Sequence, residues 1–314
     1  MAKQKQSSVV VVGALAYDQI SHTQGHFRGT PEPLLNCKLE DLVETFGGCG
    51  GNIAYNLANL GTQVQLVSAT GTEDDQNYVA HLASFGIQVQ CCIRQQHSYT
   101  ARAVIITDPA GHQFTGFFPG PVISEAAWQQ HLSQLDFDNC AIFVQAPYPP
   151  ALMLATLKHA STLKNTPLRI CCPGQYADQL TATEATDLLT ATDWLIGNAY
   201  EIAHLAPFTE DQALVIIETN GAEGITVQWP QPTERGTHKD AVTRSPDVFQ
   251  VPKVKTPIDP TGCGDAFLSG LAHTLANGPT NTFIEHLPSA IQQGIHTAAL
   301  CLTHKGAQRH FDNH

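Results

Sequence analysis

Short runs of β-branched and aliphatic residues alternate along this chain with longer stretches of helical period. The runs Val9–Val12, Val64–Ser68, Val104–Thr107, Ala141–Val144, Leu168–Cys171, Trp194–Ile196, Leu214–Glu218 and Ile225–Gln228 predict strands. Several are apolar at consecutive positions rather than at every second one, which suits parallel strands covered on both faces. Between them, Asn52–Leu60 carries Ile53, Ala54, Leu57 and Ala58 and stops at Gly61. Ala151–His159 follows a proline pair, and Asp265–Ala276 carries Phe267, Leu268, Leu271, Ala272 and Leu275 before Gly278. These segments predict helices. The alternation predicts a doubly wound α/β fold, a mostly parallel sheet with helices on both faces. Two segments break the rhythm. Ala14–Phe46 has turn residues and little helical period, and Tyr99–Phe118 reads as strand, turn at Asp108–Gly111, strand. Both predict β-rich excursions, together a small lid over residues 14–46 and 99–120. Pro230–Pro246 is polar and predicts an exposed loop. Residues 1–314 show no internal repeat and are expected to form one domain.

Composition narrows the classes. The hydrophobic share is 42%, enough for a packed core and too much for a disordered chain. Lys and Arg number 16 against 28 Asp and Glu, a net charge of −12. A nucleic-acid or anionic-membrane partner would need a basic face, so neither is expected. Met1–Ser8 is polar, the first apolar run is four residues long, and no segment approaches the roughly 20 apolar residues of a spanning helix. A cytoplasmic location is expected. The nine cysteines are odd in number, include the adjacent pairs Cys91–Cys92 and Cys171–Cys172, and form no C-x-x-C. They read as small hydrophobes in a reducing compartment, not as disulfides or a zinc site. His22 and His26 lack the Glu of H-E-x-x-H, and neither a P-loop G-x-x-x-x-G-K-[ST] nor a G-x-S-x-G occurs.

The most informative segment is Asp259-Pro260-Thr261-Gly262-Cys263-Gly264-Asp265-Ala266-Phe267. It sets two glycines and a small residue just before an apolar helix. A helix start has N–H groups without intrahelical partners, and its dipole favours anions. Asp265 falls in the first turn, where the dipole is expected to favour its ionised form. A carboxylate beside an anion site is what phosphoryl transfer to an alcohol needs: it accepts the hydroxyl proton while the amides hold the transferring group. A bare G-x-G-D would more often be a turn and a helix-start carboxylate; the nine-residue string is far more specific.

That string resembles the signature D-T-T-G-A-G-D-x-F of the ribokinase-like (PfkB) family of small-molecule kinases, with Pro260 and Cys263 as departures. The resemblance implies Asp265 as catalytic base, the amides of Gly262, Cys263 and Gly264 as anion hole, and Asp259 as a ligand of a monovalent cation such as potassium. It extends over nearly the whole chain. Asp18, in Gly13-Ala14-Leu15-Ala16-Tyr17-Asp18, stands where the family has a substrate-binding Asp. Gly47-Gly48-Cys49-Gly50-Gly51-Asn52 resembles its first signature, which implies that Gly47, Gly48 and Asn52 bind substrate. Asn198-Ala199-Tyr200-Glu201 is similar to its N-x-x-E motif, implying ATP binding with Glu201 acting on magnesium through water. Thr219, Gly221 and Gly224 match its nucleotide-contacting T-x-G-x-x-G turn. Lys253 and Lys255 precede the main signature, either near nucleotide phosphate or as solvated surface charges. Cys172, in Cys171-Cys172-Pro173-Gly174-Gln175, occupies the position of an Asp in adenosine-kinase-like members, which implies weaker or altered nucleotide binding.

The acceptor is read from four features that resemble prokaryotic adenosine-kinase-like members. These are Gly13–Ile20 with His26-Phe27-Arg28 and Phe46–Asn56, the lid-like segments Tyr99–Ala103 and Gly116–Gly120, the tail His304–His310, and the pair Phe117-Phe118. Phe117 is expected to stack on a purine, an interaction worth about 1–3 kcal/mol; packing within a flap strand is the other role open to the pair. The resemblance implies an ATP- and Mg2+-dependent kinase acting on the 5′-hydroxyl of adenosine or a related nucleoside. A sugar kinase of ribose or fructose type is the alternative, and a non-catalytic nucleoside or sugar sensor is the reading from another class. Family members can dimerise through the flap, so a homodimer is left open.

Overall fold

The computed structural model describes residues 8–27, 37–110, 112–210, 212–230, 245–279 and 282–311. Arg28 and most of the Pro230–Pro246 loop lie outside them. In chain order the strands are Ser8–Val12 (β1), Ala16–His22 (β2), Val43–Gly47 (β3), Gln63–Val67 (β4), Ala69–Gly71 (β5), Ile93–Gln95 (β6) and Ala101–Thr107 (β7). They continue with Gln113–Phe118 (β8), Cys140–Gln145 (β9), Leu168–Cys171 (β10), Trp194–Asn198 (β11), Val215–Thr219 (β12), Ile225–Gln228 (β13) and Asp247–Phe249 (β14). The helices are Cys49–Asn59 (α1), Asp75–Ser84 (α2), Glu125–Ser133 (α3), Pro150–Ser161 (α4), Ala182–Thr190 (α5), Ala199–Leu205 (α6), Cys263–Asn277 (α7) and Phe283–Leu302 (α8).

The main sheet has the order β14-β13-β12-β11-β10-β9-β1-β4. Its pairs from β4 through β12 are parallel, and β13 and β14 add an antiparallel edge. The valines of β1 show why parallel strands read as unbroken apolar runs. Val9 and Val11 pack toward α1, α2, α7 and α8, whereas Val10 and Val12 pack toward α3 and α4, and all four are fully buried. Burying each such side chain contributes roughly 1.5–3 kcal/mol. The fold is thus the doubly wound α/β arrangement that the pattern predicts, with helices on both faces.

Helices α2, α3, α5 and α8, and the short α6, were not marked by the pattern. The first three are rich in Gln, His and Thr and bury only a few residues each. The fourth runs for 20 residues despite Pro288 inside it, a residue that ordinarily signals a helix break.

The two β-rich excursions pair with one another as a separate four-stranded sheet, order β3-β2-β7-β8. Asp74, just before α2, ties it to the main body. Its carbonyl accepts from the Tyr17 hydroxyl at 2.7 Å, and its carboxylate accepts from Thr100 N at 2.8 Å and Arg102 Nη2 at 2.9 Å. The main sheet changes winding direction between β1, whose next sheet neighbour in sequence is β4, and β9 on its other side. In such sheets the crevice beyond the carboxyl ends of the strands at that point receives ligands.

Candidate active site

Gly262 caps the start of α7 with φ 78°, a left-handed conformation that favours glycine. A side chain here would also strike Ala307. The turn aims the first amides of α7 into the crevice. The Cys263 N–H, expected among the anion-binding donors, instead donates to the Pro260 carbonyl at 3.2 Å. Among the described residues, the N–H groups of Gly262, Gly264 and Asp265 have no backbone acceptor. These are the donors the helix start presents.

Asp265 follows in the first turn. The dipole was expected to keep it readily ionised, but burial works the other way and pushes its pKa up to about 6. Hydrogen bonds from Asn52 and Cys49 lower it, and the carboxylates of Asp18 and Glu201 raise it further. Asn52 Nδ2 donates to Asp265 Oδ2 at 2.8 Å. Asn52 sits in α1, which Gly48 caps, so the glycine-rich segment delivers the partner of Asp265. A carboxylate with a pKa near 6 is mostly ionised at neutral pH yet basic enough to share a proton.

Asp18 lies on β2, and burial together with the charge of Asp259 raises its pKa to about 6. Gly47 faces it from β3, where any Cβ would collide with the Asp18 carboxylate. Registers across the small sheet align Thr45, Asp18, Ala103 and Phe117 in one cross-strand row. Phe117 therefore shares the face of Asp18, two strand spacings or about 10 Å away. It is 55% exposed. Phe118 pairs with Arg102, which pairs with Tyr17, on the other face.

Asp259 joins two loops. Its Oδ1 accepts from Thr261 N at 2.9 Å and its Oδ2 from Gly306 N at 3.0 Å. Burial opposes its charge, but the hydrogen bonds from Thr261 and Gly306 hold its pKa below the ordinary value. Asn198 and Glu201 form a capping box at the start of α6. Asn198 Oδ1 accepts from Glu201 N at 3.0 Å, and the Glu201 carboxylate accepts from Asn198 N and Nδ2 at 3.1 and 2.9 Å. Burial raises the Glu201 pKa. Cys172, after β10, is close enough to Glu201 and Asp265 that both raise its pKa, in addition to burial. It stands between the N-terminus of α6 and that of α7. Among the described residues no group of three or more His, Cys, Asp or Glu could hold a metal ion by itself. This sparse donor set fits a magnesium ion that arrives with nucleotide phosphates and keeps most of its waters.

On the other side of Cys263 and Gly264 lies a cavity of about 270 Å³. Thr219 and Gly221 line it, as do Lys253 and the apolar residues Val254, Ala299 and Leu302. Gly224 does not; it packs at φ 122° against the Phe249 backbone, completing the turn between β12 and β13. Sequence reasoning missed the cavity's apolar wall. The run Val251–Val254 before the main signature was its one local sign. Cys49, Tyr78 and Gln308 were missed as partners of the Asp265 neighbourhood.

A helix start with unpaired amides, a half-buried carboxylate beside it and an adjoining apolar cavity, all at the carboxyl edge of a doubly wound sheet, fit a phosphotransferase acting on a small-molecule hydroxyl. Residues 6–313 match the model of the pfkB family carbohydrate kinases, and the chain belongs to that family. A nucleoside kinase of Methanocaldococcus jannaschii is 24% identical over 282 residues, covering 87% of this chain and 85% of its own length. Its crystal structure superposes with a TM-score of 0.79 at 22% identity, covering 99% of this chain and all of that one (100%). The Burkholderia thailandensis nucleoside kinase in complex with inosine gives a TM-score of 0.74 at 24% identity, with 96% and 93% covered. Ribokinase of Thermotoga maritima gives 0.75 at 22%, with 97% and 95% covered. These superpositions establish the ribokinase-like fold. Among the described residues no helix is long and apolar enough to cross a membrane.

Proposed function

We propose that this chain is an ATP-dependent nucleoside kinase that phosphorylates the 5′-hydroxyl of adenosine or a related nucleoside. The observation that carries the choice of acceptor is the cross-strand row in which Asp18 and Phe117 share one face of the small sheet. A carboxylate accepts hydrogen bonds from ribose hydroxyls, and an aromatic ring about 10 Å away meets the base that a free pentose lacks. The similarity to two nucleoside kinases supports the same choice.

In this reading the acceptor's ribosyl group lies between Asp18, Gly47 and Gly48, with its primary hydroxyl at Asp265. Asp265 takes the hydroxyl proton as the oxygen attacks the γ-phosphorus in line. Charge that develops on the phosphoryl oxygens faces the N–H groups of Gly262, Gly264 and Asp265. The adenine of ATP occupies the cavity lined by Val254, Ala299 and Leu302, beside the Thr219–Gly221 turn. Glu201 beside Asn198 would hold magnesium, which would neutralise phosphate charge. Asp259, with the loop at Gly306, would be the residue to hold a monovalent cation such as potassium. The small sheet acts as a lid over the acceptor and is the surface for any homodimer.

The test is ATP turnover and thermal shift across purine nucleosides, ribose and fructose. Turnover with nucleosides, and a larger melting shift with them than with free sugars, is expected. A ligand at 100 times its dissociation constant adds about 2.7 kcal/mol and is readily seen. Turnover with ribose or fructose but with no nucleoside would replace this assignment by a sugar kinase, and nucleoside binding without turnover would make the chain a sensor.

A further inference from the structure

Asn52 meets Asp265 with one end of its amide and the chain's C-terminal segment with the other. While its Nδ2 donates to Asp265 Oδ2 at 2.8 Å, its Oδ1 accepts from Gln308 Nε2 at 2.9 Å. The same Gln308 nitrogen donates to the Tyr78 hydroxyl at 2.7 Å, and that hydroxyl donates to the Gly47 carbonyl at 2.5 Å. His81 Nε2 lies 3.1 Å from Gln308 Oε1. Asn52, Tyr78 and Gln308 are all buried.

An amide can turn either end toward a neighbour at little cost in shape. Here the sequence of bonds decides which end. A main-chain carbonyl can only accept, so the Tyr78 proton is directed at Gly47 and the phenol oxygen is left to accept. Gln308 must then offer its NH2 group to Tyr78 and to Asn52. Asn52 answers with its oxygen, and its own NH2 group is left facing Asp265. Polarity fixed at the Gly47 carbonyl thus passes through three side chains to the carboxylate. A donor held there favours the ionised carboxylate and one orientation of it.

We infer that Gln308 is a positioning residue of the kinase: it fixes which end of the Asn52 amide faces Asp265, and so keeps the base charged and aimed. The inference rests on the reading of Asp265 as the base. Apart from Tyr78, which belongs to the relay, the other groups facing Asp265 make no hydrogen bond to Gln308 among the described residues. Cys49 on α1 donates a hydrogen bond, and Asp18 on β2 and Glu201 on α6 oppose its ionisation. Cys172 after β10, Tyr78 on α2, Cys263 on α7 and Cys301 on α8 all feel its charge. Without the Gln308 donor, Asn52 can turn its oxygen to Asp265, which favours the protonated acid.

Gln308→Met keeps the side chain's length and removes both polar ends. The dependence of kcat on pH is expected to move its acid limb up by about one unit, a roughly tenfold loss below the limb and a smaller one above it. KM for the acceptor changes little. Should Gln308→Met fail to fold, Tyr78→Phe serves instead; it keeps the ring, removes the hydroxyl that orients Gln308, and is expected to move the limb the same way by less. An acid limb left in its wild-type place, or a loss of kcat equal at every pH, overturns the inference. The ionisation of Asp265 can also be followed by carbon NMR of its carboxyl group in the full chain, assigned with Asp265→Asn. That measurement needs no turnover. A wild-type protein that phosphorylates no nucleoside defeats the proposed function, whereas an Asp265 titration unchanged by Gln308→Met defeats the relay.

Discussion

Around Asp265, the buried side chains of Asn52, Tyr78 and Gln308 and the partly buried Cys49 exchange directional hydrogen bonds. A few residues along α7's first turn, the cavity beyond Gly264 is walled by Ile225, Val254, Phe267, Ala299 and Leu302, which offer shape and area but no side-chain direction. The two ends of one crevice therefore solve different problems. In the proposed reading a small angular error at the acceptor end would separate the base from its proton, and polar networks supply the rigidity that prevents it. At the nucleotide end, in the same reading, backbone amides hold the reacting phosphate and the adenine needs only to be enclosed.

The comparison is broken most severely at Asp265. Asp265→Asn is expected to lower kcat by at least roughly 10²-fold while acceptor binding, read by thermal shift, is retained. The same change should stabilise the fold near neutral pH. The folded pKa of about 6 lies above the ordinary 3.8, so between these values the native state holds a proton that the unfolded chain has released. Stability therefore falls as pH rises from about 4 to about 6. An amide is exempt from that loss, a gain on the order of 1–3 kcal/mol. Scanning calorimetry should show the variant melting above wild type at neutral pH and the gap closing toward the acid end of the window; a variant that melts lower at neutral pH would contradict the burial argument.

Ala299→Phe tests whether the two ends are separable. Filling the cavity should raise KM for ATP roughly tenfold, with the nucleoside-induced melting shift unchanged. Loss of both would show that the acceptor end depends on the nucleotide wall. The smallest effect is expected from Cys172→Asp, which adds a carboxylate beside Glu201 and Asp265. Half-saturating magnesium should fall about two- to fivefold, as read by a metal titration of turnover. An unchanged titration would remove Cys172 from the phosphate lane.

The fold was legible because its parallel strands are covered on both faces, so each reads as an apolar run. The long α8 was hidden by Pro288, and the thin apolar stripes of α2 and α3 by their Gln and His content. At the site, the geometry of Asp259–Phe267 was legible because it is local: turn, helix start and carboxylate are consecutive. What could not be read depends on contacts between distant residues. Asn52 and Gln308 are 256 positions apart, and no local spacing says that one sets the polarity of the other. The row joining Asp18 to Phe117 was likewise invisible, because strand register decides which of two adjacent phenylalanines shares the carboxylate's face.

Asp18 and Asp265 belong to different layers, one on the small sheet and the other on a helix of the main body. A molecule that engages both must have the right reach, so the pair gauges length before any bond is made. In the proposed reading an acceptor that meets both layers is favoured over a lone water, with no group devoted to that task.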